Sequence, residues 1–177
     1  MIEETLVLIK PDGVKRSLIG EVISRFEKAG LQIAGLKLAK PAEKQLNEHY
    51  LLSPEWVSGI AQKTREALAK KGLSLNETDL QIAQRVQGWL KDSLGSGFVI
   101  AMVLRGNCAI EVVRKLVGAT EPRTAVAGTI RGDLSSDSYD FADLEKRSVS
   151  NLIHASSSFE EAKREIAIWF QKDVIYC

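Results

Sequence analysis

Apolar residues in this chain fall into two rhythms: short branched runs, and stripes spaced three and four residues apart. The first run, T-L-V-L-I at 5–9, ends at K-P-D-G, a turn signature, and predicts a buried strand. Ile19, Val22, Ile23 and Phe26 then share one helical face across 19–29, and Gly30 stands where a helix-ending glycine belongs. L-Q-I-A-G-L-K-L at 31–38 has strand character, with partial alternation around a central glycine. These three segments make a β-α-β unit. A short helix is expected at about 42–51, carrying His49 and Tyr50.

Residues 53–95 differ in texture. Ser53 suits an N-cap and Pro54 a first helical turn. Val57, Ile60, Ala61, Thr64, Ala67 and Leu68 mark the inner face of that helix, and Gly72 its end. Asn76 is the expected cap of a second helix, with Leu80, Ala83, Val86, Leu90 and Leu94 on its stripe before Gly95. The pair reads as a helical hairpin laid on a smaller domain. Beyond it, F-V-I-A-M-V-L at 98–104 is continuously apolar, as befits a central strand covered on both sides.

A helix over 109–117 turns Ile110, Val113, Leu116 and Val117 inward. Regular signals fade from 118 to 148, apart from one helical turn in D-F-A-D-L-E-K. V-S-N-L-I at 149–153 predicts a short strand. Residues 158–170 predict an amphipathic helix with Phe159, Ala162, Ile166, Trp169 and Phe170 inward, and a capping box of Ser158 with Glu161. The order β-α-β, helices, β-α-β-α predicts an α+β fold, a ferredoxin-like sandwich on a four-stranded antiparallel sheet.

Composition narrows the function. A chain of 177 residues is expected to be one domain with a real core, and 45% hydrophobic with 27% charged residues is ordinary for a soluble protein. A net charge of +1 argues against diffuse nucleic-acid or membrane-surface binding, so any anion must be met by a few placed cations. M-I-E-E-T has no signal-peptide character, and no apolar run nears the roughly 18 residues that span a bilayer. Cys108 and Cys177 are far apart, and two histidines without clustering make a structural zinc site a poor reading; a reducing cytoplasmic setting fits best.

One of those histidines lies in N-L-I-H-A-S-S-S at 151–158, where small residues leave room for something other than protein. A neutral imidazole offers one lone pair, and a carboxylate on the opposite N–H fixes the tautomer and makes that lone pair more nucleophilic. Glu160, Glu161 and Glu165 all lie downstream of His154 as candidate partners. Lys10 ends an apolar strand, where a cation must reach water or an anion. The block R-K-L-V-G-A-T-E-P-R-T-A-V-A-G-T-I-R-G-D, Arg114 to Asp133, combines arginine forks, hydroxyl donors and glycines that suit phosphate oxygens. There is no G-x-x-x-x-G-K-[ST], no G-x-G-x-x-G after a strand, no H-E-x-x-H and no G-x-S-x-G.

Taken together, K-P-D-G at 10–13, the R…G-A-T-x-P…G-T-I-R-G-D block and N-x-x-H-x-S resemble the nucleoside diphosphate kinase family. The likeness covers the chain ends and 97–133, leaving 53–95 as a helical insertion and 134–148 as a second, shorter one. It implies ping-pong transfer of a terminal phosphoryl group from a nucleoside triphosphate, typically ATP, to a nucleoside diphosphate through a phosphohistidine. By this resemblance His154 is the nucleophile through its δ nitrogen, Glu165 holds the ε nitrogen, and Ser156 supports Glu165. Lys10, Tyr50 and Asn151 would line the sugar 3′-hydroxyl and the transferred phosphate. Arg114, Thr120 and Arg131 would bind the distal phosphates, and Mg2+ would bridge phosphates through mostly water ligands. The resemblance further implies a homo-oligomer (hexamer, tetramer or dimer), with no membrane and no specific nucleic acid as partner.

The chain departs from the family pattern in three places. H-A-S-S at 154–157 replaces the usual H-G-S-D, so Ser157 or Ser158 must take over as helix cap. The base-stacking aromatic after R-P-F-F is displaced by the insertion; the aligned position is Val86, with Leu90 one turn on, and Trp56 or Trp89 as compensating aromatics. Residues 135–145, just before Asn151, are either a lid or an extended surface loop. The rival readings are a nucleotide-binding or scaffolding module of the same fold without transfer, and a helical phosphotransfer domain, which the runs at 5–9 and 98–104 disfavour. Arg131→Ala is expected to cost activity with the fold intact.

Overall fold

A computed structural model describes residues 1–70 and 72–170 of the chain; Cys177 lies outside them. Four strands, β1 (Ile2–Ile9), β2 (Gln32–Ala39), β3 (Val99–Asn107) and β4 (Ile153–Ala155), form one sheet in the order β2-β3-β1-β4. Every pairing is antiparallel. Around it run α1 (Pro11–Lys15), α2 (Ile19–Lys28), α3 (Glu43–His49), α4 (Pro54–Ala69), α5 (Asp79–Gly95), α6 (Ala109–Val117), α7 (Ile130–Leu134), α8 (Tyr139–Leu144) and α9 (Phe159–Trp169). With α2 and α6 as the two crossovers, this is the ferredoxin-like fold.

Strand periodicity decides which side chains meet. Val7 and Ile9 join Val22, Phe26, Met102, Leu104 and Val113 in a core between the sheet and helices α2 and α6. Leu6 and Leu8 face the other way, into a second core with Leu46 of α3, Leu94 of α5, and Trp169 and Phe170 at the end of α9. Each such buried aliphatic side chain contributes roughly 1.5–3 kcal/mol. On β4 the same alternation sends Ile153 and Ala155 into the first core. His154, opposite Leu8, is thereby turned toward α3 and α9.

The hairpin forms as the pattern predicts, with local shifts. Ser53 caps α4 through the Trp56 N–H at 3.2 Å. Thr78, not Asn76, caps α5: its hydroxyl takes the Gln81 N–H at 3.3 Å, and the Gln81 side chain takes the Thr78 N–H at 2.8 Å. This reciprocal box starts the helix two residues later than an Asn76 cap would, so Leu80 is exposed and Ile82 is buried. Ala67 on α4 is also exposed.

The largest shift concerns β4, expected at 149–153 and found at Ile153–Ala155. Leu152 adopts φ 65 and the Ile153 N–H reaches back to the Asn151 carbonyl at 2.7 Å, so the chain makes a tight turn where a strand was expected. A buried leucine in this region is strained. The K-P-D-G segment holds it there. The Lys10 N–H donates to the Leu152 carbonyl at 2.8 Å, and the Leu152 N–H donates to the Asp12 carboxylate at 3.0 Å.

On α9 the Ser158 cap takes the Glu161 N–H at 3.2 Å, but the Glu161 carboxylate turns to the Ser157 N–H at 2.6 Å, so the box is not reciprocal. Phe159, expected inside, is exposed, while Ala162, Glu165 and Trp169 make the buried stripe.

Candidate active site

The site gathers at the C-terminal end of β1, on β4 and on the facing side of α9. Glu165, one turn before Trp169 on the buried stripe of α9, is 1% exposed. Its Oε2 receives the His154 ring N–H from Nε2 at 2.8 Å and the Ser156 hydroxyl at 2.7 Å. Its Oε1 faces His49 Nδ1 at 3.4 Å and Arg164 Nη2 at 3.6 Å. Burial alone would raise the carboxyl, but the charge and hydrogen bond of His154, then His49 and the Ser156 hydroxyl, hold it down at about 2. Glu165 is therefore an ionised acceptor. With its proton on Nε2, His154 keeps an unprotonated Nδ1 on the other side of the ring.

Three cations surround the turn that leads to His154. Arg131, 3% exposed at the start of α7, spends its fork on backbone oxygens: Nε on Asn151 at 3.2 Å, Nη2 on Ile153 at 2.6 Å, and Nη1 on Gly118 at 2.9 Å and Ala119 at 3.2 Å. Arg114 of α6 donates to the Ala155 carbonyl at 3.3 Å. Lys10 Nζ donates to Asn151 Oδ1 at 2.8 Å, and the Asn151 amide N–H in turn donates to the Thr120 carbonyl at 2.8 Å. Among the described residues neither arginine forms an ion pair with a carboxylate. Burial and then Arg114 bring Arg131 down to about 10; burial and then Arg131 bring Lys10 down to about 8. Cations gathered without carboxylate partners among the described residues suit an anion.

Two backbone positions shape the loop between the arginines. Gly118 has φ 83, and a Cβ there would strike the Thr129 side chain. A Cβ on Gly132 would strike the Val126 carbonyl, so the R-G-D turn closes only with glycine. Segment 134–148 is tied to this loop, since Arg123 bridges Glu121 at 3.2 Å and Asp140 at 3.0 Å, and Glu121 also takes the Tyr139 N–H at 3.1 Å.

Of the expected site residues, His154 and Ser156 meet on Glu165, Lys10 and Arg131 meet on Asn151, and Arg114 and Arg131 hold the backbone of Ala155 and Ile153 on either side of His154. Of the three candidate glutamates, Glu160 is exposed and Glu161 serves Ser157, leaving Glu165. The Tyr50 ring lies edge-on to His49 at 4.7 Å, and burial, then Glu165, push its hydroxyl up, so it stays a proton donor. The Thr120 side chain is exposed at the loop. Val86 and Leu90 lie half-buried on α5, and Gln87 between them donates to the Tyr50 carbonyl. Trp89 carries the Arg85 guanidinium over its ring at 5.0 Å, so it packs within the hairpin. The structure adds His49, whose ring meets His154 edge-on at 4.6 Å, and Asp12, which holds Leu152. The dipeptide His49-Tyr50 was the available signal for the first.

His49, His154 and Glu165 could together offer three ligand atoms to a metal. Two of the three are engaged with protein donors: Glu165 Oε2 takes two, and His49 Nδ1 takes the Trp169 indole N–H at 3.4 Å. The cluster is a hydrogen-bonded network.

Lys10 gives a first prediction. With a folded value near 8 against 10.5 for a free lysine, the empty protein loses this cation as pH rises through about 8. kcat/KM, which reports the free enzyme, should fall on that limb. Stability should move oppositely: the unfolded chain holds more protons between about 8 and 10.5, so folding gains there. A pH–rate profile and urea midpoints on the same buffers check both directions.

The family model for nucleoside diphosphate kinase matches residues 3–77 and 81–175. A nucleoside diphosphate kinase of Pyrobaculum aerophilum is 44% identical over 179 residues, covering 98% of each chain. The crystal structure of an NDP kinase from that organism superposes with TM-score 0.95 over the full length of both chains, at 43% identity. A transition-state mimic of the Borrelia burgdorferi enzyme, with bound vanadate and ADP, superposes with TM-score 0.82 at 36% identity, covering 99% of this chain and 91% of that one.

Proposed function

The chain belongs to the nucleoside diphosphate kinase family, and from that premise we propose that His154 is the group through which it passes the phosphoryl. The enzyme transfers phosphoryl groups between nucleotides. In the proposed route His154 Nδ1 attacks the terminal phosphorus of a nucleoside triphosphate, the bond to the bridging oxygen breaks, and the diphosphate leaves. A second diphosphate then takes the phosphoryl from His154. The observation that carries this reading is the 2.8 Å bond from His154 Nε2 to a buried, ionised Glu165, which leaves Nδ1 as the nucleophilic atom.

The other residues position and stabilise. Phosphoryl transfer asks mainly for alignment and for charge where the equatorial oxygens gather it. Lys10, Asn151 and Tyr50 meet the sugar hydroxyl and the transferred group, while Arg114, Arg131 and Thr120 hold the remaining phosphates. Val86 and Leu90 flank the base. Mg2+ fits as a companion of the nucleotide: Glu165 and Asp12 are already engaged, so its ligands come from phosphate oxygens and water. When bound it would supply positive charge to the phosphates.

We take residues 1–177 as one kinase domain, with 53–95 and 134–148 as additions to it, acting in the cytoplasm. Among the described residues no helix is long and apolar enough to cross a membrane. The test is a coupled assay with ATP and GDP. GTP formation with parallel double-reciprocal lines supports the two-step route, and nucleotide binding without exchange would favour a binding module.

A homo-oligomer is part of the proposal. Edge strand β2 exposes Leu36 (48%) and Leu38 (60%), and among the described residues no strand pairs with its outer side, a template for a second copy. Leu38→Asp should lower the mass measured by light scattering toward that of one chain.

A further inference from the structure

The buried ring of His49 has no role in the transfer as described, yet it touches both halves of the machinery. It is 4% exposed, meets the His154 ring edge-on at 4.6 Å, and turns Nδ1 toward Glu165 Oε1 at 3.4 Å. The same Nδ1 lies 3.4 Å from the indole nitrogen of Trp169, one helical turn beyond Glu165 on α9. An indole N–H only donates, so the nitrogen it reaches must accept. Burial and then the neighbouring His154 push His49 down to about 3, so it carries a single ring proton at working pH. That proton belongs on Nε2, which is buried with no partner among the described residues.

We propose that Trp169 locks His49 in its Nε2–H tautomer and that His49 is thereby a positioning residue for the His154–Glu165 pair. Were the proton on Nδ1, its partial positive charge would sit near Glu165 Oε1 and draw charge away from Oε2, which receives the His154 N–H. The lock keeps a lone pair on that nitrogen instead. The carboxylate remains a strong acceptor for His154, whose Nδ1 stays correspondingly electron-rich. The unpartnered Nε2–H does not weaken the assignment. In the other tautomer Nε2 would still lack a partner, and the Trp169 N–H would lose its acceptor as well.

This inference rests on His154 as the phosphoryl acceptor, and its test separates the two. Nitrogen-15 histidine spectra of the intact enzyme should show His49 protonated at Nε2 and bare at Nδ1. In Trp169→Phe, which keeps an aromatic ring, though a smaller one, and removes the N–H, the proton should move toward Nδ1. There kcat should fall on the order of tenfold at unchanged nucleotide KM. A wild-type spectrum with the proton on Nδ1 overturns the proposal, even if the variant does not fold. So does a variant whose tautomer switches while kcat holds. Phosphoenzyme formed from ATP in the same wild-type sample reports on His154 independently, so its absence would count against the nucleophile and leave the tautomer assignment standing or falling on the spectrum.

Discussion

His154→Ala should remove turnover by about four orders of magnitude or more and leave no acid-labile phosphate on the protein. The size follows from the route: without the imidazole there is no covalent step, and the surrounding cations can only bind nucleotide. The fold should persist. Ala155 and Ile153 on either side keep β4 in the first core, and the side chain of His154 makes one hydrogen bond, to Glu165. Glu165 keeps the Ser156 hydroxyl, so the buried carboxylate is not left bare. ADP and ATP affinity should stay near wild type, since Lys10, Arg114 and Arg131 are untouched. Steady-state rates, phosphoprotein labelling and equilibrium binding on one preparation check all three statements.

Arg131→Ala should cost both activity and stability. Removing a preorganised donor at the phosphates loses about 10²–10³ in kcat. The sequence alone suggests an intact fold, but the structure changes that expectation. The guanidinium fastens the carbonyls of Gly118, Ala119, Asn151 and Ile153, so truncation removes a donor from four acceptors around the strained turn at Leu152, of which Asn151 keeps the Ile153 N–H. Each buried group left unpaired costs about 1–3 kcal/mol, less where water enters the space. A net loss of about 3–5 kcal/mol, a large share of a typical domain's stability, is expected. Urea unfolding beside kcat separates the two losses. Arg131→Lys, which keeps charge but not the fork, should fall between.

Much of this architecture was legible in the hydrophobic pattern. The helix read at 109–117 is found at those residues, the run at 5–9 lies within β1, and the run at 98–104 enters β3 at Val99, with Phe98 exposed before it. Periodicity works there because the segments are long and packed on apolar neighbours. It fails where polar groups set the backbone. V-S-N-L-I looks like a strand, yet the Arg131 fork, the Asp12 carboxylate and the Lys10 N–H bend it into a turn. All three partners are remote in sequence. On α9, hydropathy puts Phe159 inside and passes over Glu165, because burying a carboxylate makes sense only once His154 and Ser156 are seen to meet it.

The site was legible as a set of motifs before it was legible as geometry. K-P-D-G suggested a cation at a strand end, and the structure adds that its aspartate holds Leu152. The arginine-rich block suggested phosphate recognition; its Arg114 and Arg131 also fasten the backbone on either side of His154. His49 stands on the expected short helix beside Tyr50, but nothing local in the sequence reveals its neighbours. Its meaning comes from Trp169, 120 residues away.

The central claim is most directly tested by mixing the wild-type enzyme with ATP and Mg2+ in the absence of any acceptor diphosphate. The account predicts a burst of ADP stoichiometric with enzyme, and an equal amount of acid-labile phosphate on His154 Nδ1. ADP release without protein-bound phosphate, or phosphate on any other residue, would contradict it.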